Sequence, residues 1–174
     1  LGGKGKTSLS LKIHEILKDK VKSCFVKKYY SNQIDEQKIL ANSGKLFKSK
    51  NRSSCINQAI EEGYELAIFD DGLQDPSINY DYNIVCFNID NWIGNGHTIP
   101  SGPLRENIKN IKNYKNVFLN GNNENIDSIK KYIHNIDHNI NIYQGEYIPL
   151  NIKEFDKNDK YLVFSGIGNH KTFI

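Results

Sequence analysis

The first seven residues include glycines, lysines and a threonine at spacings that could bind phosphate. Gly2-Gly3-Lys4-Gly5-Lys6-Thr7 matches the latter part of the pattern GxxxxGK[ST], whose first glycine would lie just before Leu1. Glycines let backbone N–H groups converge on phosphate oxygens, while Lys6 can reach the β- and γ-phosphates and Thr7 can ligate Mg²⁺. The alternative is a flexible glycine-rich terminus, but an amphipathic helix pattern follows immediately. The opening therefore predicts a site for a nucleoside triphosphate with Mg²⁺.

An acidic pair supports this interpretation. Asp70 and Asp71 close an apolar run at 66–69, 64 residues after Lys6 (70 − 6 = 64). A P-loop fold places a carboxylate that holds Mg²⁺ at the end of such a strand, beside the phosphate loop. An Asp-Asp-Gly turn that only caps a strand is the alternative. Together with Thr7, the two aspartates are the predicted metal ligands.

A third segment, residues 94–106, combines glycines and prolines with Arg105 and Glu106. Arg105 could clamp a phosphate through two hydrogen bonds, and Glu106 could position a metal-bound water or an acceptor. A long surface loop that leads into a helix explains the same residues, and the segment alone favours that interpretation.

The apolar pattern around these motifs predicts an α/β fold with a mostly parallel sheet and helices on both faces. Helices are predicted over 6–18, over 126–134, and from a cap at Ser53 or Ser54 to Gly63. Short non-alternating apolar runs, typical of buried parallel strands, occur at 24–26, 46–47, 66–69, 84–87, 117–119 and 162–164. A loop is predicted for 29–35, and 139–157 has strand character without a clear partner.

Composition sets outer limits on the function. The 174 residues are 38% hydrophobic and 25% charged, which excludes a disordered polyelectrolyte and fits one domain of ordinary size. A net charge of +3 gives no argument for a nucleic-acid partner. Three widely spaced cysteines indicate a reducing, cytoplasmic setting. Because the sequence begins at Leu1 and contains no methionine, we expect it to be a fragment.

Four motifs, in this order, resemble the tetraacyldisaccharide 4′-kinase family. They are Gly2 to Thr7, Asp70-Asp71-Gly72-Leu73-Gln74, Gly94-Asn95-Gly96 with Pro100-Ser101-Gly102-Pro103-Leu104-Arg105-Glu106, and Phe164-Ser165-Gly166-Ile167-Gly168. The resemblance covers nearly the whole chain, and DDGLQ with GPLRE is far more discriminating than the P-loop.

The resemblance implies a P-loop kinase that transfers the γ-phosphoryl group of ATP to the 4′-hydroxyl of a lipid A disaccharide precursor. Such an enzyme is peripheral on the cytoplasmic face of the bacterial inner membrane, uses Mg²⁺, and has two α/β domains. Residues 1–157 would be the catalytic domain and 158–174 the beginning of the second. The fragment alone is expected to be poorly active.

The resemblance also implies roles for individual residues. Lys6 and Thr7 would serve ATP and Mg²⁺, Asp70 and Asp71 would bind the metal, and Gln74, Arg105 and Glu106 would belong to the active site. The family's GDEP-like motif is matched only by Asp35-Glu36, which makes Asp35 the candidate base for the acceptor hydroxyl; a solvated helix start is the alternative. Its histidine partner would lie beyond Ile174.

The chain departs from the family pattern at four places. Lys4 replaces a threonine, Lys27-Lys28-Tyr29-Tyr30 replaces Ser-Arg-Gly-Tyr, Asp75 replaces a histidine, and Asn107 replaces a proline. Asp75 is expected to add negative charge near the metal. Two alternatives stay open: a partition-type or metal-insertion ATPase switch, since GGKGKT suits that P-loop variant, and a nucleotide-binding pseudo-kinase.

Overall fold

The computed structural model describes residues 5–31, 34–148, 151–156 and 158–162. The helices within these ranges are α1 (Lys6–Leu17), α2 (Ile34–Ser43), α3 (Arg52–Glu61) and α4 (Ile126–Ile136), with 3₁₀ turns at Ile108–Asn113 and Ile152–Glu154. The strands are β1 (Ser23–Lys28), β2 (Leu46–Ser49), β3 (Leu66–Phe69), β4 (Val85–Asn88), β5 (Asn116–Asn120) and β6 (Asn141–Gly145). None of the described helices is both long enough and apolar enough to cross a membrane.

The strands form two three-stranded sheets, ordered β2-β1-β3 and β4-β5-β6, and every strand pair is parallel. This confirms the predicted α/β class. The expected strand at 162–164 is not seen at Leu162, which is 91% exposed, and its other two residues lie outside the described ranges.

Helices cover both faces of the first sheet. Val26 of the central strand β1 packs with Cys55 and Ala59 of α3 on one face. Phe25, the preceding residue, points to the other face and packs with Leu40 of α2. Because β1 is covered on both sides, its apolar residues are consecutive, which is why the run was recognisable as a buried parallel strand.

The second sheet is built around β5. Val117 and Leu119 share one face of this strand and pack with Ile129 and Ile133 of α4. On the side away from β4, β5 pairs with β6 over five residue positions. The strand character expected in 139–157 is therefore confirmed for 141–145, and β5 is the partner that the sequence did not indicate.

Two local predictions also need correction. The loop predicted for 29–35 ends earlier, since α2 begins at Ile34 and carries Asp35 and Glu36 in its first turn, where the helix dipole favours acids. The N-cap of α3 is Asn51 and not a serine: the Asn51 side chain accepts a hydrogen bond from the Ser53 backbone N–H at 2.9 Å.

Truncating Leu119 to alanine is expected to lower the free energy of unfolding by about 3 kcal/mol, because it leaves a cavity at a position that is 0% exposed. Urea unfolding monitored by circular dichroism measures this change. Leu162→Ala, at an exposed leucine, serves as the control and should have almost no effect. A loss below about 1 kcal/mol for Leu119→Ala would contradict the assignment of this residue to the core.

Candidate functional site

The described part of the phosphate loop is a glycine followed by a helix start. Gly5 has a φ of 77°, and a Cβ at this position would lie 2.8 Å from Nδ2 of Asn120. Both the left-handed backbone and the close approach therefore require glycine. Helix α1 begins at the next residue, so its unpaired N–H groups and positive dipole end are available to an anion. The predicted phosphate ligands Gly2, Gly3 and Lys4 lie outside the described residues.

Asp70 lies against the start of α1, directly after β3. Its Oδ2 accepts a hydrogen bond from the Thr7 hydroxyl at 3.1 Å, and the side chain is 1% exposed. The other oxygen, Oδ1, is buried and has no hydrogen-bond partner among the described residues. Thr7 and Asp70, 63 residues apart in the chain, are thus brought together as the motif pair predicts.

Lys27, at the end of β1, donates from Nζ to the same Oδ2 of Asp70 and to Oε2 of Glu36, each at 2.6 Å. Burial lowers the pKa of Lys27, but the hydrogen bonds to these two carboxylates outweigh it and leave the pKa above its ordinary value. The ammonium group is therefore charged although its side chain is only 2% exposed. Sequence reasoning missed this residue.

Asp35 precedes Glu36 in the first turn of α2 and is exposed. The contact between Glu36 and Lys27 places the segment that carries the candidate base at the same end of β1 as the phosphate site. The structure therefore brings the two regions together, with Asp35 open to an acceptor from solvent.

Asp71 is held by two cations. The Arg105 guanidinium donates to both of its carboxylate oxygens at 2.8 and 3.2 Å, and Lys6 Nζ lies 3.8 Å from Oδ1. Burial raises the pKa of Asp71, but Arg105 and Lys6 outweigh it, so the pKa lies below its usual range. Arg105 also donates to Oε1 of Gln74 at 3.0 Å. Four of the predicted site residues therefore form one hydrogen-bonded and charged cluster.

Glu106 lies beside a cavity of about 210 Å³ between β3 and β4. It accepts a hydrogen bond from the Tyr114 hydroxyl at 3.2 Å. The same cavity is lined by Lys6 and by Cys86, whose pKa is raised to about 11 by burial, so this thiol is not an activated nucleophile. Glu106 thus borders the same cavity as Lys6.

Arg52 is a second residue that the motifs did not indicate. It donates to Oδ2 of Asp75 at 3.0 Å and to the backbone carbonyl of Asp71 at 2.8 Å. Asp75 also accepts hydrogen bonds from Ser77. The contacts with Ser77 and those with Arg52 together lower the pKa of Asp75 to about 2. The expectation that Asp75 adds free negative charge near the metal is corrected, because Arg52 neutralises it and the pair braces the turn that holds Asp71. An arginine at a polar helix start gives no sequence signal for this role.

Asp75 is expected to contribute to acid sensitivity. Its pKa is about 2 when folded, against an ordinary value of 3.8, so its stabilisation is full above pH 3.8 and is lost as the pH falls towards 2. In Asp75→Asn the fall in urea midpoint between pH 4 and pH 2 should therefore be shallower than in the unmodified protein. Asp19→Asn, at an exposed residue in the turn after α1, is the control. Parallel curves for Asp75→Asn and the unmodified protein would refute the contribution.

The described residues contain no group of three or more His, Cys, Asp or Glu side chains arranged to hold a metal ion. A metal here would depend on the Thr7 hydroxyl, on Asp70, and on oxygens that a nucleotide brings. Such a site differs from a dedicated protein cage and is usual for Mg²⁺ with phosphates.

The family model and the relatives that match this chain all belong to one family. The model of the family described as tetraacyldisaccharide-1-P 4′-kinase matches residues 1–174. A tetraacyldisaccharide 4′-kinase of Pelagibacter ubique is 63% identical over 175 residues, which cover 100% of this chain and 56% of that protein. The corresponding kinase of Rickettsia bellii is 30% identical over 194 residues, covering 99% and 58%. The chain thus spans a little over half the length of these relatives.

A solved structure, that of hydrogenase maturation factor HypB from Archaeoglobus fulgidus, resembles the chain with a TM-score of 0.53. The match covers 83% of this chain and 76% of the other, at 15% sequence identity. This likeness shows the fold alone, and it agrees with the α/β architecture of parallel strands and helices described above.

Proposed function

Because the chain belongs to the tetraacyldisaccharide-1-P 4′-kinase family, we propose that it forms the nucleotide-binding part of an enzyme that phosphorylates a lipid A precursor. The reaction transfers the γ-phosphoryl group of ATP to the 4′-hydroxyl of tetraacyldisaccharide 1-phosphate. A bond forms between the hydroxyl oxygen and γ-phosphorus, the bond to the β–γ bridging oxygen breaks, and ADP leaves. The hydroxyl proton goes to a carboxylate base.

One observation carries the proposal: a continuous set of contacts joins the phosphate loop to the segment of the candidate base. Thr7 contacts Asp70, Asp70 contacts Lys27, and Lys27 contacts Glu36, which adjoins Asp35. A phosphoryl transferase needs its donor site and its acceptor site side by side. A site that only bound nucleotide would not need the contacts that lead on to the segment of the candidate base.

The residues present fit Mg²⁺. The ion prefers oxygen ligands and keeps several waters. The site offers the Thr7 hydroxyl and the buried Oδ1 of Asp70, which accepts no hydrogen bond from the described part of the chain. When bound with ATP, the ion would neutralise charge on the β- and γ-phosphates. Thr7 and Asp70 are the residues that would hold it, directly or through water.

The other charged groups have distinct tasks. Lys6 and Arg105 face the carboxylate of Asp71 and are positioned to stabilise negative charge on the transferring phosphoryl group. Asp71 keeps these two cations in place until a nucleotide competes for them. Asp35 accepts the proton of the acceptor hydroxyl, for which its exposed position leaves room. Glu106, held by Tyr114, borders the same space.

We place the full-length protein at the cytoplasmic face of the bacterial inner membrane, where its lipid acceptor would be met by a peripheral enzyme. Residues from 158 onward would begin a second α/β domain that closes over the acceptor and supplies a histidine partner for Asp35. The matched relatives extend well beyond the length of this chain, which leaves enough sequence for such a second domain.

The test is transfer of radiolabelled phosphate from ATP to tetraacyldisaccharide 1-phosphate by the full-length protein, with Lys6→Met as the inactive control. Transfer that depends on Lys6 supports the proposal. ATP-dependent dimerisation without transfer would replace it with a switch ATPase. ATP binding without any turnover would replace it with a pseudo-kinase.

A further inference from the structure

Lys27 occupies an unusual place in the site. Its side chain lies on the same face of β1 as Phe25, the face that packs against α2. The ammonium group there contacts Asp70, directly after β3, and Glu36, in the first turn of α2. A buried, charged lysine is retained only where carboxylates compensate it, and both compensating groups here belong to the candidate site.

The ammonium group and the Thr7 hydroxyl share one oxygen of Asp70. Lys27 Nζ is 2.6 Å from Oδ2 and the Thr7 hydroxyl is 3.1 Å from it. A divalent cation held by Thr7 and Asp70 would therefore come close to a fixed positive charge. Two like charges that contact the same carboxylate inside a protein repel each other strongly.

The ion-paired groups among the described residues of the site balance one another without a metal. Lys27, Lys6 and Arg105 are matched by Asp70, Asp71 and Glu36, three positive groups against three negative ones. Adding a free divalent cation would bring two positive charges that these six paired groups do not compensate. Adding the cation together with a nucleoside triphosphate would not, because the phosphates bring the negative charge.

We propose that Lys27 is a built-in cation that prevents the site from binding a free divalent metal and so makes metal binding conditional on the nucleotide. The inference rests on the proposed function, since it takes the site to be one for a metal–nucleotide complex. Its distinguishing feature is Lys27 itself, whose buried ammonium group shares Oδ2 of Asp70 with the Thr7 hydroxyl. Removing the ammonium group should expose Asp70 and Glu36 to a free metal ion.

The experiment measures Mn²⁺ binding to the full-length protein by electron paramagnetic resonance, with and without ATP. We expect the unmodified protein to bind free Mn²⁺ only at millimolar concentrations and to bind Mn²⁺ with ATP much more tightly. Lys27→Ser should bind free Mn²⁺ at least about tenfold more tightly than the unmodified protein. Lys28→Ser, which removes the neighbouring lysine whose ammonium lies over the Tyr30 ring, should behave like the unmodified protein.

Lys27→Met provides a second variant that keeps the packing of the alkyl chain and removes only the charge. Free Mn²⁺ binding by folded Lys27 variants that is no tighter than normal would overturn the inference and leave the proposed function intact. The unmodified protein gives a further test that does not depend on the variants, since its tight binding of free Mn²⁺ would overturn the inference directly. Absence of any Mn²⁺–ATP binding would overturn both.

Discussion

Replacing Asp35 by asparagine is expected to lower kcat for lipid phosphorylation by about 10²- to 10⁴-fold, with little change in the KM for ATP. An alcohol is a weak nucleophile, and the variant removes the carboxylate that takes its proton. Asp35 is exposed in the first turn of α2 and outside the contacts of Lys6 and Thr7, so nucleotide binding and folding should be preserved. Steady-state kinetics with the full-length protein measure both constants.

The matched control is Asp127→Asn. Asp127 is also an exposed acid in the first turn of a helix, α4, so this variant removes the same favourable interaction with a helix dipole. Its kcat should stay close to normal. If kcat of Asp35→Asn stays within about threefold of normal, Asp35 is not the base.

Replacing Asp70 by asparagine is expected to damage both catalysis and stability. The buried ammonium group of Lys27 would keep only Glu36, a partner that is 45% exposed, and breaking a buried ion pair in this way costs about 3 kcal/mol. The loss of a ligand for the metal–nucleotide complex should lower kcat/KM at least about 100-fold. Urea unfolding and the phosphate-transfer assay measure the two effects separately.

A double variant distinguishes the two consequences. Adding Lys27→Met to Asp70→Asn removes the unpaired buried charge, so most of the lost stability should return. Activity should not return, because the carboxylate is still missing. Recovery of activity together with stability would mean that Asp70 acts only as a structural partner of Lys27.

The fold class and the pairing of Thr7 with Asp70 could be predicted because each depends on a local pattern. Consecutive apolar residues identify a parallel strand, and the P-loop fixes where the helix begins. The partner of β6 could not be predicted in this way. Its residues 141–145 are mostly exposed, and which strand they join is decided by β5, more than twenty positions earlier in the chain.

Lys27 and Arg52 escaped prediction for a related reason. Lys27 follows the apolar run 24–26 and Arg52 lies among polar residues, but in either setting a lysine or arginine is ordinarily exposed. Their burial depends on carboxylates 43 and 23 positions away, Asp70 and Asp75. The position of α2 was missed because Leu40 is the only apolar residue of that helix in the buried core, which leaves little periodicity to detect.

The backbone at Asp71 has a consequence for engineering this protein. Its φ of 59° lies in the left-handed region, which costs a non-glycine residue on the order of 1 kcal/mol. A selection for heat resistance alone would therefore favour glycine there and discard the carboxylate that holds Arg105 and Lys6. Thermostable variants of this chain should be sought with position 71 held constant, because stability and activity make opposite demands on it.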